Sequence, residues 1–223
     1  MGFFHFDLFS IFVRALALFL ILPVHECAHA YAAHKMGDDT AKWQGRMTLN
    51  PVKHLDIFGS LMLLLTGFGF AKPVPINPNN FRNPKKGMAL SAAAGPISNI
   101  LLALVLLIVY RILGWFSGMA IASVGLYQII MQILLLIIQI SISLGIFNLL
   151  PVPPLDGSRL FLSFLPSSTY FKIMQYERYI MIALFLLLFT GALSIPLSWL
   201  SGWVLDLLEL ITRPISMLGQ LIF

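Results

Sequence analysis

Apolar runs of membrane-spanning length dominate this chain and decide which folds are open to it. The long runs cover about residues 8–36, 88–113, 121–150, 178–194 and 196–222. A helix needs roughly 20 mostly apolar residues to cross the hydrocarbon core of a bilayer. Charged residues make up only 10% of the chain, whereas a soluble domain carries roughly 25%. We therefore predict an all-α, polytopic integral membrane protein, a bundle of about five to six membrane segments.

The length of 223 residues suits one such bundle and leaves no room for a separate soluble domain. We expect a single domain over residues 1–223, with its core at about 8–160 and its C-terminal membrane segments at about 176–223. The last run carries charged residues at Asp206, Glu209 and Arg213. Both a spanning and an interfacial position are therefore open for it.

Residues 57–70 form a shorter apolar segment with a different predicted role. They number fewer than the roughly 20 residues that a spanning helix needs, and glycines interrupt them at positions 59, 67 and 69. We predict a re-entrant loop that dips into the bilayer and returns. Irregular backbone at this depth is tolerated only where protein or a water-filled cavity covers it, so the loop is expected to line a cleft.

Basic residues are distributed unevenly between the loops and predict the topology. Eight of the 14 lysines and arginines lie in the loop from 34 to 87, at Lys35, Lys42, Arg46, Lys53, Lys72, Arg82, Lys85 and Lys86. The next turn carries only Arg111. The positive-inside rule places the 34–87 loop in the cytoplasm and the turn near 114–120 outside. The sequence contains no basic, aromatic-interleaved stretch, so no nucleic-acid partner is expected.

A His-Glu-x-x-His motif occupies residues 25–29, at the end of the first apolar run. On a helix, His25 and His29 stand about 40° apart in projection and one turn apart in height, so both imidazoles can face one metal ion. Glu26 lies close enough to act on a metal-bound water. Because ionisable groups are costly inside a hydrophobic segment, the motif predicts a zinc site with its own general base.

A catalytic zinc ion needs a third protein ligand besides two histidines. The candidates elsewhere in the chain are His54, Asp56, Asp156, Glu177, His5 and His34. Asp156 is preferred, because the proline-rich stretch before it breaks the preceding helix and can aim a carboxylate back into the bundle. It lies on the same side of the bilayer as His25 only if residues 57–70 are re-entrant. The alternative role for Asp156 is to cap the helix that starts near Gly157.

Two motifs in this order resemble the site-2 protease family of intramembrane zinc metalloproteases, most closely its short bacterial and archaeal members. The pattern pairs residues 25–29 with the downstream Asn-Leu-Leu-Pro-Val-Pro-Pro-Leu-Asp-Gly stretch at 148–157. Further similar stretches are 45–51, 71–75 and 94–99. The resemblance covers roughly residues 20–160, and two ordered motifs separated by two membrane segments are far more specific than one.

The resemblance implies one zinc ion per chain, held by His25, His29 and Asp156. It implies a single transmembrane metalloprotease domain that hydrolyses peptide bonds in or near the transmembrane segments of other membrane proteins. The expected partners are therefore a transmembrane protein substrate and the lipid bilayer. The expected location is a prokaryotic cell membrane, with the active site toward the cytoplasmic side by the charge rule.

The chemistry of such a site gives the remaining candidate residues their predicted roles. Glu26 is expected to take a proton from the attacking water as general base. Asn148 is a candidate donor of a hydrogen bond to the substrate or oxyanion, with a polar contact between helices as the alternative. His54 and Asn99 are candidates for shaping the site. Their alternatives are an interfacial loop position and simple helix packing.

A cation transporter with His and Asp side chains in its transport site is the alternative from another class. Transporters usually need polar residues in several helices and a pathway that opens to each face in turn. The segments at 100–113 and 121–138 are nearly devoid of ionisable groups, and transport has no need of Glu26 beside both histidines. A catalytically silent scaffold is the third possibility, and the presence of Glu26 argues against it.

Overall fold

The structure, a computed structural model, describes residues 8–66, 69–118 and 125–222. Within those ranges the chain forms nine α-helices and no strand, which confirms the predicted all-α class. The helices are α1 (Leu8–Met36), α2 (Thr40–Trp43), α3 (Ile57–Thr66), α4 (Pro84–Gly114), α5 (Gly125–Asn148), α6 (Asp156–Leu162), α7 (Ser167–Gln175), α8 (Glu177–Phe189) and α9 (Ser194–Ile222). Short 3-10 turns lie at Pro51–Lys53, Pro78–Asn80 and Trp115–Gly118.

Four helices in the described part of the chain are long and apolar enough to cross a membrane. They cover Ile11–Met36, Pro84–Gly114, Gly125–Asn148 and Ser194–Gly219. α8, which overlaps the predicted segment at 178–194, has 13 residues, and α3 has 10. Both are shorter than the roughly 20 residues that a spanning helix needs. The predicted count of five to six membrane segments therefore stays a prediction.

α4 is the central helix and packs against α1, α5, α6 and α9. Its first half carries small buried residues, among them Ser91, Ala92, Ala93 and Gly95. Small residues let neighbouring helix backbones approach closely, which is how helices commonly associate in membranes. Its second half joins α5 and α9 in a core of Ala103, Leu107, Ile138, Ile142, Ile146 and Leu208. α4 thus packs against both α1, which carries His25 and His29, and α6, which begins with Asp156.

The chain before α3 and the chain after it lie side by side, at His54 and Lys72. The backbone N–H of Lys72 donates to the carbonyl of His54 at 2.9 Å. Inside this closure, a Cβ atom at Gly59 would lie 2.1 Å from the Phe70 carbonyl oxygen, and one at Gly69 would lie 2.2 Å from the Gly59 carbonyl oxygen. The two glycines therefore let the returning chain lie directly against α3, a contact that any side chain would prevent.

Arg14 of α1 caps the C-terminal end of α3. Its Nη1 donates to the carbonyl oxygens of Leu64 at 3.0 Å and Leu65 at 3.2 Å. The last carbonyls of a helix have no partner within that helix, and a cation suits the negative end of the helix dipole. In lipid no water is present to satisfy these groups. Arg14 therefore satisfies two carbonyls that would lack a partner wherever water is absent.

Asp38 fastens the end of α1 to the turn that precedes α4. Its fully buried carboxylate accepts hydrogen bonds from the backbone and hydroxyl of Thr40, the backbone of Asn77 and the amide of Asn80, at 2.5–3.1 Å. Burial alone would raise the pKa of the Asp38 carboxyl. The hydrogen bonds outweigh burial, so the pKa lies below its ordinary value. The ionised carboxylate thus joins two loop regions that are far apart in sequence.

Replacing Arg14 by Met should destabilise the contact between α1 and α3, because two carbonyl groups lose a charged donor. Hydrogen bonds to charged groups contribute roughly 1.5–3 kcal/mol each, so we expect a clearly lower thermal unfolding midpoint in detergent. The matched control is Arg213→Met, at an exposed position in α9. Equal midpoints for the two variants would show that Arg14 does not hold α3.

Candidate metal centre

Three side chains from distant parts of the chain converge at one point. His25 and His29 stand on one face of α1, and Asp156, which is 131 residues from His25, begins α6. The two Nε2 atoms lie 3.0 Å apart, and Asp156 Oδ2 lies 3.1 Å from His25 Nε2 and 3.3 Å from His29 Nε2. Both histidines are 5% exposed. The structure therefore brings together the three residues that the sequence analysis proposed as a ligand set.

The turn between α5 and α6 delivers Asp156 to the histidines. α5 ends at Asn148, and the prolines that follow prevent the helix from continuing. α6 then starts at Asp156 and packs on α4. Gly157 makes this packing possible, because a Cβ atom there would lie 2.2 Å from the carbonyl oxygen of Leu149. The N-cap residue of α6 is Leu155, whose side chain makes no capping hydrogen bond. The carboxylate of Asp156, the first residue of α6, contacts the two histidines.

Each imidazole is oriented by a contact on its far nitrogen. Nδ1 of His29 donates to the backbone carbonyl of Ser91 in α4 at 2.7 Å. Nδ1 of His25 lies 3.1 Å from Nδ2 of Asn99, also in α4. Turning this amide by 180° places its oxygen, which otherwise has no partner, where it accepts the Nδ1 proton. With the proton on Nδ1, Nε2 of each ring presents a lone pair toward Asp156.

The arrangement fits a bound zinc ion. Two Nε2 lone pairs and a carboxylate oxygen face one another, an arrangement that favours a cation among them. Ligand atoms about 2.0–2.1 Å from a tetrahedral zinc ion are roughly 3.3 Å apart, and the separations here are 3.0–3.3 Å. Three protein ligands leave a fourth position open, as in catalytic zinc sites. Among the residues that the structure describes, His25, His29 and Asp156 are the only such group.

The histidines also determine the charge state of Asp156. Burial alone would raise the pKa of this carboxyl. When the rings are protonated at Nε2 instead of presenting lone pairs to a metal ion, the charge of His29 and the hydrogen bonds of both imidazoles outweigh burial, so the pKa of Asp156 lies below its ordinary value. Asp156 is therefore ionised, which is the form that binds a metal ion.

Two cavities meet at Glu26 and His25. The smaller, of about 170 Å³, also contacts His29, Asp156 and Asn148. The larger, of about 590 Å³, is lined mainly by apolar side chains of α1, α3 and α5, together with Leu188 of α8 and Leu197 of α9. Glu26 is 8% exposed and lines both cavities. Its carboxylate thus lies between the ligand set and an apolar space among the helices.

Two asparagines that the sequence analysis named lie at the site. Asn99 is fully buried and contacts His25, and its own backbone carbonyl accepts a hydrogen bond from the Ser141 hydroxyl of α5 at 2.7 Å. Asn148 lines both cavities, while its Nδ2 donates to the Leu144 carbonyl of its own helix at 3.0 Å. Asn99 thus lies against the far nitrogen of His25, and Asn148 lies where the two cavities meet.

His54 is placed differently, because it lines neither cavity. It is fully buried and donates from Nε2 to the carbonyl of Thr48 at 2.7 Å. Its backbone carbonyl holds Lys72, and the neighbours of Lys72, Ala71 and Pro73, line the smaller cavity. Any influence of His54 on the shape of the site is therefore exerted through the returning chain.

The other ligand candidates lie away from the metal centre. Asp56 accepts a hydrogen bond from the backbone N–H three residues later, at 2.8 Å, at the start of α3. His34 is hydrogen-bonded to Asp39, and Glu177 begins α8. His5 lies outside the described residues. None of these side chains lines either cavity in the part of the chain that the structure describes.

Gly95 of α4 lies directly against both histidines, a contact that no local sequence pattern indicates. A Cβ atom there would lie 2.3 Å from His29 Nε2 and 2.7 Å from Cε1 of His25. The backbone of α4 therefore touches both imidazoles. The glycine before Pro96 was visible in the sequence, but its contact with α1 requires the packed helices.

Arg46, one of the basic residues of the 34–87 loop, lies beside the site. It is 5% exposed, and its Nη2 donates to the carbonyl of Lys72 at 2.5 Å. Burial lowers the pKa of its guanidinium below the ordinary value, and the charge of Glu26 acts in the opposite direction. Arg46 thus places a positive charge near Glu26 while holding the returning chain beside the cavity.

Comparisons with known proteins identify similar sequences along most of the chain. The model of "Peptidase family M50" matches residues 13–190. "Putative zinc metalloprotease YwhC" of Bacillus subtilis (strain 168) is 43% identical over 187 residues, which cover 82% of this chain and 83% of that protein. "Putative zinc metalloprotease Rip2" of Mycolicibacterium smegmatis (strain ATCC 700084 / mc(2)155) is 28% identical over 224 residues, covering 95% and 80%. No solved structure gives a significant match.

Replacing Gly95 by Ala should displace the imidazoles and weaken zinc binding at least about tenfold, as disturbed support of metal ligands does. The matched control is Gly114→Ala at the end of the same helix, where a Cβ atom would meet nothing within 4 Å. Zinc affinity is measured by competition with a chromophoric chelator. Equal affinities of the two variants would contradict the packing described for Gly95.

Proposed function

We propose that this chain, which belongs to peptidase family M50, is an intramembrane zinc endopeptidase. Its substrates would be other membrane proteins, cut in or near a transmembrane segment. The observation that carries this proposal is the place of the ligand set. His25, His29 and Asp156 lie beside an apolar cavity among helices of spanning length, and the carboxylate of Glu26 faces that cavity.

His25, His29 and Asp156 are proposed to hold the zinc ion. When bound, zinc lowers the pKa of water and polarises a carbonyl group. Glu26 is proposed to take a proton from the attacking water and to deliver it to the leaving amine. Glu26 makes no side-chain hydrogen bond within the described part of the chain, so its carboxylate is available to water. The attraction between Glu26 and Arg46 supports a fixed position for that carboxylate.

Asn99 and Asn148 have supporting roles in this proposal. Asn99 keeps the proton of His25 on Nδ1, so that Nε2 remains a metal ligand. Asn148 has one amide N–H in use within α5, and the second is proposed to donate to the substrate carbonyl. A donor in that place stabilises the negative charge that develops on the carbonyl oxygen during attack.

Residues 57–70 are proposed to be re-entrant. α3 has 10 residues and is about 15 Å long, roughly half of the hydrocarbon thickness. The hydrogen bond between His54 and Lys72 closes the segment on the side from which it starts. Arg14 satisfies carbonyls at the far end of α3. With this segment and α8 added to the four long helices, the bundle has six membrane segments.

The site is proposed to lie toward the cytoplasmic side of a cell membrane. Eight basic residues between 34 and 87 follow the helix that carries the motif, and the positive-inside rule assigns such loops to the cytoplasm. His25 lies only 11 residues before the end of α1 at Met36. Water can therefore reach the metal ligands from the cytoplasmic loops, while the larger cavity extends among the membrane helices.

Changing Glu26 to Gln should leave zinc bound and reduce cleavage of a model transmembrane substrate by about 10²- to 10⁴-fold, because the base is removed. Changing Asp156 to Asn should remove both zinc and activity. The matched controls are Glu177→Gln and Asp206→Asn, which lie outside both cavities. The assay uses purified protein in liposomes, with zinc measured in each variant. Cleavage by Glu26→Gln at the wild-type rate would refute its assignment as the base.

Changing Asn148 to Leu should lower kcat by about 10²-fold while zinc content stays unchanged, because an oxyanion donor is lost. The thermal unfolding midpoint is measured alongside to exclude misfolding. An unchanged kcat in a folded, zinc-bound protein would remove Asn148 from the chemistry.

A further inference from the structure

α5 carries a stripe of polar side chains along an otherwise apolar surface. Gln128, Gln132, Gln139 and Ser143 follow one another at intervals of four, seven and four residues. On a helix these positions fall within an arc of roughly 60°. All four are exposed, and none of their side chains makes a hydrogen bond within the part of the chain that the structure describes.

Unpaired polar groups at membrane depth need a partner. α5 qualifies as a spanning helix over Gly125–Asn148, and Gln139 and Ser143 lie in its second half. Lipid chains offer no donor or acceptor, whereas a transmembrane segment of another protein offers both, through its polar side chains or wherever its helix unwinds. The two side chains are therefore suited to bind a polar group that arrives within the bilayer.

The larger cavity connects part of this stripe with His25 and Glu26. Gln139 and Ser143 line it together with His25 and Glu26, whereas Gln132 does not line it. The remaining lining is mostly apolar, and among the described residues its other polar side chains are Ser60 and Asn148. A segment that reaches Glu26 through this cavity therefore passes Gln139 and Ser143.

We propose that Gln139 and Ser143 bind the main chain of the substrate's transmembrane segment where it unwinds for cleavage, an inference that rests on the proposed function. Peptide groups of a helix are already hydrogen-bonded, and unwinding frees them in a place without water. The Gln139 amide supplies a donor and an acceptor, and the Ser143 hydroxyl does the same. Both replace bonds that the unwound stretch has lost.

This role predicts which substrates the site prefers. A segment that unwinds readily, because it carries glycine, serine or asparagine near the cut, presents free peptide groups to Gln139 and Ser143. A uniformly leucine-rich helix keeps its peptide groups bonded to each other and gains nothing from them. The two residues therefore favour transmembrane segments with a helix-weakening stretch.

The test measures binding without turnover. The zinc-bound Glu26→Gln protein in nanodiscs is titrated with a fluorescent transmembrane peptide of about 25 residues that carries a Gly-Ser pair at its centre. Adding Gln139→Leu should raise Kd about five- to twentyfold, and adding Ser143→Ala about threefold. The matched control is Gln132→Leu, on the same stripe but outside the cavity, and it should leave Kd unchanged. Unfolding midpoints and zinc content verify that each variant is intact.

Equal Kd values for Gln139→Leu and Gln132→Leu, or no binding while Gln139 is present, would overturn the inference. A changed oligomeric mass with unchanged Kd would assign the stripe to contacts between copies of this chain and would also overturn it. Cleavage by the wild-type protein is recorded in parallel. If it fails while the Kd pattern holds, the proposed protease function fails and the binding role of Gln139 stands.

Discussion

The convergence of two imidazoles and one carboxylate inside an apolar bundle is the constraint on which the rest of the structure depends. Such groups are costly in this setting unless they share a cation and each has its hydrogen bonds. The structure provides for both conditions, because His25, His29 and Asp156 lie within 3.3 Å of one another, close enough to share one cation, and α4 contacts both far ring nitrogens. The small residues in the first half of α4 follow from this need for close approach.

The need to satisfy backbone carbonyl groups explains how α3 and the chain after it are held. The C-terminal end of the short helix α3 leaves carbonyls without partners within the helix, and Arg14 supplies a charged donor to two of them. The glycines at 59 and 69 let the returning chain lie against the same helix. The segment that lines the cavity is thus stabilised by contacts that need no water, which suits a cleft among membrane helices.

Local patterns in the sequence predicted the helices and the ligands, while contacts between distant segments could not be predicted from them. The four-residue spacing of His25 and His29 predicts their common face, and the proline-rich stretch before Asp156 predicts a turn that aims its carboxylate back into the bundle. Gly95 and Arg14 carry no comparable signal, because their importance arises only where α4 meets α1 and α1 meets α3. His54 is instead buried in the loop structure, outside both cavities.

The central claim is that His25, His29 and Asp156 bind one zinc ion. The most direct test is an X-ray absorption spectrum of the purified protein, together with its zinc content. The account predicts one zinc ion per chain, two imidazole ligands, a shell of nitrogen and oxygen atoms at about 2.0–2.2 Å, and loss of the metal in Asp156→Asn. A sulfur ligand from Cys27, or full zinc occupancy without the Asp156 carboxylate, would contradict it.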